Sequence, residues 1–462
     1  LIKKNDEIEL NIEKLTYRGL ALGRCFSGDT PNGFVVFVKN ALSKDKVKVK
    51  ITKVNKHYAY GEIIEIISPS PRRQKPFCPL FNACGACSFQ HAEYDFLVKE
   101  KNNMLKEAFL QLDYEVEFLE PIKSPADKQY RHKVQYRISE TKNSKRLLAG
   151  YFREKTHDIV NIKFCPIQPR IADEAVEFLR ENWKLGGYVE KTHKGLLKSF
   201  IIRFSSDLKS ALVTLVLNSS RDNWEKIRQD VEDFAKSMKE RFSEIKGVAV
   251  NFNPDKTNCI LTDDYEYLDG ENSIVETLLS EDGTKRSYKI SHDSFFQVNP
   301  KCAARIFDEV KRNVKEGSTV LDAYGGVGAI GIWLSDKAHK ICLVEENRSA
   351  TDDAKYNFKL NGCRNYEVFL GDAKERFREF LKEKRKFTHV IIDPPRKGSD
   401  NEALEALAKL TDSIIYVSCN PQTLVRDIKY LQTLGFRAKT TRAADMFPYS
   451  YHIESVTVIE RG

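Results

Sequence analysis

The stretch Ser318-Thr319-Val320-Leu321-Asp322-Ala323-Tyr324-Gly325-Gly326-Val327-Gly328 decides the fold of the C-terminal part of this chain. A short apolar run ends on an aspartate, and a glycine-rich turn then opens a helix. Glycines there let the backbone approach a ligand at the carboxyl end of a strand, where open α/β sheets bind their ligands. Working outward, the same rhythm recurs in Ile341-Cys342-Leu343-Val344-Glu345, His389-Val390-Ile391-Ile392-Asp393 and Ser413-Ile414-Ile415-Tyr416-Val417-Ser418, with helical stretches between. From about residue 286 to 462 the expected fold is therefore α/β, a doubly wound, mostly parallel sheet.

Upstream the rhythm differs. Residues 1–67 alternate apolar and polar side chains in short segments, Ile8 to Ile12, Phe34 to Val38, Val47 to Ile51 and Gly61 to Ile67, broken by Gly19, Gly23, Gly28, Gly33 and Gly61. Period-2 patterning with such breaks predicts a small, OB-like β-barrel of about five strands. Lys46, Lys48 and Lys50 then share one strand face, and Ser68-Pro69-Ser70-Pro71 closes the module. Residues 68–285 form a central mixed α+β region. Residues 93–112 are patterned as an amphipathic helix expected to pack on the C-terminal α/β domain. Arg131, Lys133, Gln135 and Arg137 alternate with His132, Val134, Tyr136 and Ile138, as a half-buried strand with one basic face would.

The 462 residues allow two to four domains, and 41% apolar against 31% charged residues describes a globular chain. No apolar run approaches the length of a bilayer-spanning helix, so no membrane partner is expected. The start, Leu1-Ile2-Lys3-Lys4, has no secretory h-region. A cytoplasmic monomer with a trimmed or processed N-terminus is expected, with no obligate protein partner. Of the formal net charge of +9, most lies early, where residues 1–75 hold 15 Lys and Arg against 8 Asp and Glu. A positive N-terminal module suits a polyanion such as RNA.

Several strand ends carry candidate chemistry. Glu345 can accept hydrogen bonds from both hydroxyls of a ribose, and Asp372, in Gly371-Asp372-Ala373, can accept from an adenine amino group. This order resembles the class I S-adenosylmethionine-dependent methyltransferases rather than a pyrophosphate-binding dehydrogenase. Asp393-Pro394-Pro395-Arg396-Lys397-Gly398 differs from the similar motif of amino methyltransferases, which continue with an aromatic residue, and from RNA cytosine-5 methyltransferases, which place a Cys after the Pro. The thiol lies instead in Val417-Ser418-Cys419-Asn420-Pro421. Carbon 5 of uracil is too weak a nucleophile to take a methyl group directly. Addition of a thiolate at carbon 6 makes the ring an enolate whose carbon 5 can attack. A base must then remove the carbon-5 proton, for which Glu454 is the candidate and His452 the alternative.

Cys78, Cys84 and Cys87 crowd one loop, and Cys165 offers a fourth thiol. Four thiolates suit tetrahedral zinc or an iron–sulfur cluster. Cys25, Cys259, Cys302, Cys342 and Cys363 are expected to be buried or chemically idle.

Taken together, Phe295-Phe296-Gln297-Val298-Asn299, residues 322–328, residues 393–398, Ser418-Cys419-Asn420-Pro421 and His452-Ile453-Glu454 resemble the RNA uracil-5-methyltransferase family of the RumA/TrmA type. The resemblance implies that Gln297, Tyr324, Glu345, Asp372 and Asp393 contact S-adenosylmethionine, that Cys419 is the nucleophile and that Glu454 is the proton acceptor. Including Phe89-Gln90-His91, it also implies a [4Fe-4S] cluster on Cys78, Cys84, Cys87 and Cys165, zinc being the alternative. The N-terminal barrel resembles the TRAM domain of the ribosomal branch, which implies 23S rRNA as substrate. A transfer RNA substrate, or an inactive iron–sulfur RNA-binding assembly factor, are the competing readings. The chain departs from many relatives in having Gly325 in place of Cys, and Ala329 in place of a polar residue.

Overall fold

The alternating apolar residues of the first segment turn inward around a closed barrel of β1 (Glu7–Leu15), β2 (Ala21–Cys25), β3 (Phe34–Val38), β4 (Lys46–Val54) and β5 (Tyr58–Ser68), in the order β1-β2-β3-β5-β4. This is seen in a computed structural model that describes residues 2–26, 32–256 and 259–462; Leu1 and Gly28 lie outside the described residues. Leu10, Ile12, Val36, Val38, Val47, Val49 and Ile51 fill the barrel. On the outer face, Lys46 pairs with Glu9 at 2.9 Å and Lys48 with Glu7 at 2.8 Å. The lysine face of β4 is thus partly neutralised by its neighbour β1, and Lys50 and Lys53 are the exposed lysines of that strand.

The chain next passes through the cysteine segment into α1 (Tyr94–Phe109) and β6 (Glu117–Phe118). Arg73 joins the barrel to this segment through the buried Asp45, which also accepts from the backbone N–H groups of Leu42 and Ser70. The central region contains β7 (Lys133–Glu140), β8 (Leu147–Phe152), β9 (Ile159–Asn161), α2 (Arg170–Asn182), β10 (Leu197–Phe204), β11 (Ala211–Leu217), α3 (Trp224–Arg241), β12 (Ile245–Phe252) and β13 (Tyr265–Gly270). Its seven strands form one sheet ordered β13-β12-β11-β10-β7-β8-β9. Val134, Tyr136 and Ile138 pack with residues of α2 and α3, while Lys133, Gln135 and Arg137 on the other face are half-buried.

A hairpin of β14 (Ser273–Leu279) and β15 (Lys285–Ser291) leads into α4 (Pro300–Arg312). Strand and helix then alternate as β16 (Ser318–Ala323), α5 (Ala329–Trp333), β17 (Ala338–Glu345), α6 (Arg348–Leu360), β18 (Tyr366–Leu370), α7 (Ala373–Lys382), β19 (His389–Ile392), α8 (Asn401–Leu410), β20 (Ser413–Ser418) and α9 (Pro421–Thr433). The chain ends in β21 (Phe436–Ala444) and β22 (Glu454–Arg461). The eight-stranded sheet runs β18-β17-β16-β19-β20-β22-β21-β6, parallel except for β22, which is antiparallel to both neighbours. One hydrophobic core is shared by the barrel, α1 and one face of this sheet; a second lies under α4, α5 and α6. Among the described residues, no helix is long and apolar enough to cross a membrane.

Candidate active site

The carboxyl ends of the parallel strands open into a cleft of about 480 Å³. At the end of β16 Asp322, fully buried, accepts from the Gly331 N–H at 2.8 Å and so fixes the glycine-rich turn to the start of α5. Burial pushes its carboxyl up to about 7. Gly325 fits because Leu343 occupies the space beside it: an added Cβ would stand 2.6 Å from Leu343 Cγ. Tyr324 takes the left-handed conformation, φ 61°, which sends the chain sharply into the turn. Glu345 accepts from the Gly326 N–H at 2.9 Å through one oxygen and from the Asn347 N–H at 2.8 Å through the other. Each oxygen keeps a further lone pair, the number two ribose hydroxyls would need.

Gln297, Tyr324, Glu345 and Asp393 all line this cleft. Asp372 does not. Its flanking residues Gly371 and Ala373 reach the wall, but the Asp372 carboxylate is the N-cap of α7, accepting from the N–H groups of Lys374 and Glu375. An aspartate followed three residues later by Glu375 is itself a cap signal.

On the opposite wall, Cys419 follows β20 and precedes α9, whose N-cap is Asn420. The Asn420 side chain donates to the Arg396 carbonyl at 3.1 Å, joining the thiol loop to the Asp393-Pro394-Pro395 turn. Because Ser418 on β20 is paired with Ser455 on β22, the positions just beyond, Cys419 and Glu454, are neighbours across two antiparallel strands, and both line the cleft. Glu454 is buried and its carboxyl is pushed up to about 8, first by burial and then by Asp393, with Arg396 and Lys101 opposing. Asp393 is raised to about 7 by burial. The half-buried Cys419 thiol is pushed up to about 11 by burial, then by Glu454 and Asp393, against Arg396. His452 is lowered to about 4 by burial and nearby cations.

The segment between β21 and β22 carries Phe447 and His452 and leads directly into Glu454, and it is tied from outside the catalytic sheet, which sequence reasoning missed. Lys101 of α1, 2% exposed, donates to Asp445 Oδ1 at 2.6 Å and to the Phe447 carbonyl at 2.9 Å. The N–H groups of Ser88 and Phe89 donate to the Tyr449 carbonyl at 2.8 and 2.9 Å. Tyr130 donates to the Pro448 carbonyl, and the Asn299 side chain to that of Met446.

Cys78, Cys84, Cys87 and Cys165 line one small cavity of their own with Phe81, Gln90 and Phe164. Burial raises all four thiols, Cys87 to about 12, and the neighbouring sulfurs raise Cys84, Cys87 and Cys165 further. Among the described residues, no group of three or more His, Cys, Asp or Glu side chains stands in an arrangement that would hold a metal ion. Of the five other cysteines, Cys302 and Cys342 are buried, Cys25 and Cys363 are half-buried, and Cys259 is exposed.

The strand order, with its antiparallel β22 inserted beside β20, is that of the class I methyltransferase fold, joined here to a five-stranded barrel. Residues 93–462 match the model of the tRNA (uracil-5-)-methyltransferase family, and residues 3–64 match the TRAM domain. The chain belongs to the tRNA (uracil-5-)-methyltransferase family, whose members are S-adenosylmethionine-dependent RNA methyltransferases. An uncharacterized RNA methyltransferase of Halalkalibacterium halodurans is 31% identical over 99% of this chain and 98% of its own length. One of Listeria innocua is 33% identical over 99% and 98%. The crystal structure of Pyrococcus abyssi tRNA (uracil-54, C5)-methyltransferase, in complex with S-adenosyl-L-homocysteine, superposes with a TM-score of 0.73 at 24% identity, covering 98% of this chain and 100% of that one. It shows the same fold.

Proposed function

We propose that this protein methylates carbon 5 of a specific uridine in RNA, with Cys419 as nucleophile, Glu454 as proton acceptor, and Gln297, Tyr324, Glu345 and Asp393 around the methyl donor. The observation that carries this reading is the placing of Cys419 and Glu454 beside the Ser418–Ser455 pair that joins β20 to β22, both lining the cleft that holds the donor-side carboxylates. When bound, S-adenosylmethionine supplies an electrophilic methyl group on a cationic sulfur. Cys419 loses its thiol proton to solvent, the thiolate Sγ bonds to carbon 6 of the uracil, and the π pair of the C5–C6 bond moves onto carbon 5 and the adjacent carbonyl. Carbon 5 takes the methyl group, and the electron pair of the broken bond stays on the donor sulfur. Glu454 then removes the carbon-5 proton, the C–H pair re-forms the C5–C6 double bond, and the C6–Sγ bond breaks with its electron pair leaving on sulfur as the thiolate. Glu454, held near 8, is a far better acceptor than His452, held near 4. An embedded uridine must leave its stack to reach Cys419, which favours a loop or otherwise deformable target.

Although Cys78, Cys84, Cys87 and Cys165 do not stand in a metal-holding arrangement here, they line one cavity and have the donor chemistry of a [4Fe-4S] site, which is the reading we propose; zinc would use the same thiolates. Anaerobically purified protein should contain about four irons per chain, lost in Cys87→Ser. Stoichiometric zinc would assign the other metal.

Large-subunit ribosomal RNA is the first target to test, from the barrel and the thiol set together. A transfer RNA is the second, because the Pyrococcus abyssi enzyme shares the fold over nearly the whole chain, so the barrel alone does not select the RNA. Incubating purified ribosomal and transfer RNA separately with enzyme and isotope-labelled donor, then mapping 5-methyluridine by mass spectrometry, distinguishes them. Label in neither pool would overturn the activity.

A further inference from the structure

The N-terminal barrel reaches the nucleophile itself. Its β1–β2 turn carries Tyr17, whose hydroxyl donates to the backbone carbonyl of Cys419 at 3.4 Å, across 402 residues of chain. The Tyr17 ring stands edge-on to Tyr451, with centroids 6.0 Å apart and planes at 83°. Two residues on, Gly19 has φ 78°, and a Cβ there would lie 3.1 Å from both Ser88 Oγ and Tyr451 Cδ1. The turn is therefore seated closely against the catalytic rim at Gly19. Burial, together with Cys419, Tyr451 and Glu454, raises the Tyr17 phenol to about 12, so it remains a hydrogen-bond donor at neutral pH. The next residue, Arg18, is exposed.

We infer that Tyr17 is a positioning residue: through its hydroxyl the barrel fixes the Cys419 peptide and hence the direction in which the thiol meets the target base. The inference rests on the reading of Cys419 as nucleophile. Two further features support it. The barrel and the catalytic sheet share one continuous core, so the turn is rigidly carried rather than swung on a linker. The same turn also exposes a cation to RNA at the nucleophile's rim, where a phosphate contact would bear on the element that holds the thiol.

The test uses the full-length enzyme and Tyr17→Phe, which deletes one oxygen and keeps the ring on Tyr451. RNA containing 5-fluorouridine at the target traps the enzyme covalently, and its rate of trapping with saturating donor and RNA is read beside RNA affinity and melting temperature. The expected result is trapping about three- to tenfold slower, the size of one neutral hydrogen bond, with affinity within twofold and melting unchanged. A loss confined to affinity or stability would mean packing alone and would overturn the inference, as would an unchanged trapping rate. Cys419→Ala is run in parallel. If it still forms the adduct, the nucleophile assignment itself is wrong; if it does not, while Tyr17→Phe traps at the parental rate, only the inference fails.

Discussion

Replacing Lys101 by Met tests whether α1 holds the catalytic segment in place. Lys101 and Asp445 are 2% and 1% exposed, and the ammonium makes two short hydrogen bonds, to Asp445 and to the Phe447 carbonyl. Methionine fills most of the volume but strands a buried carboxylate whose Oδ2 already has no partner. Removing one member of such a pair costs about 3–5 kcal/mol. By contrast, Lys123→Met breaks the exposed pair with Asp95, where the side chains are 50% and 73% accessible, and should cost under about 1 kcal/mol. Adding Asp445→Asn to Lys101→Met removes the stranded charge and should return most of the loss. Urea unfolding of the full-length variants measures the cost, and hydrogen exchange over residues 445–453 localises it. A Lys101→Met loss no larger than that of Lys123→Met, or no recovery in the double variant, would refute the reasoning.

Other outcomes follow from the same geometry. Glu454→Gln should form the methylated adduct and fail to resolve it, with turnover down at least about 100-fold; mass spectrometry of the denatured complex detects the species, and normal turnover would exclude Glu454 as the acceptor. Because burial raises Glu454 to about 8 and the acceptor must be ionised, adduct resolution should climb as pH rises through about 8, and fall about tenfold per unit below it. A flat profile would contradict this. A cationic donor entering beside Asp393 and Glu454, raised to about 7 and about 8, favours their ionised forms. Calorimetry at pH 7 in buffers of different ionisation enthalpy should then show proton release on donor binding. Lys50→Ala with Lys53→Ala should flatten the salt dependence of RNA binding, by up to about 0.7–0.9 in log–log slope for each phosphate that the lysines no longer neutralise.

Much of this architecture is local in the sequence. Period-2 alternation marks the barrel, and apolar runs ending in Asp322, Glu345, Asp393 and Ser418 mark the sheet because its buried parallel strands need continuous apolar residues. Cys419 and Glu454 are legible as chemistry, but their adjacency depends on β22 inserting antiparallel beside β20, which periodicity does not encode. What escapes is long-range pairing. Lys101 meets Asp445 across 344 residues and Tyr17 meets Cys419 across 402, and no spacing rule links them. Lys46 and Lys48 were legible as a face, yet their partners Glu7 and Glu9 lie on another strand, so the neutralisation emerges only with the barrel's register. Asp372 carried a readable cap signal that its place after a strand obscured.

The most direct measurement is peptide mapping of the covalent complex formed by the parent enzyme, methyl donor and 5-fluorouridine RNA. The account predicts a single cross-link, from Cys419 sulfur to carbon 6 of a methylated fluorouridine, absent in Cys419→Ala. A cross-link at any other residue, or undiminished 5-methyluridine formation by Cys419→Ala, would contradict it.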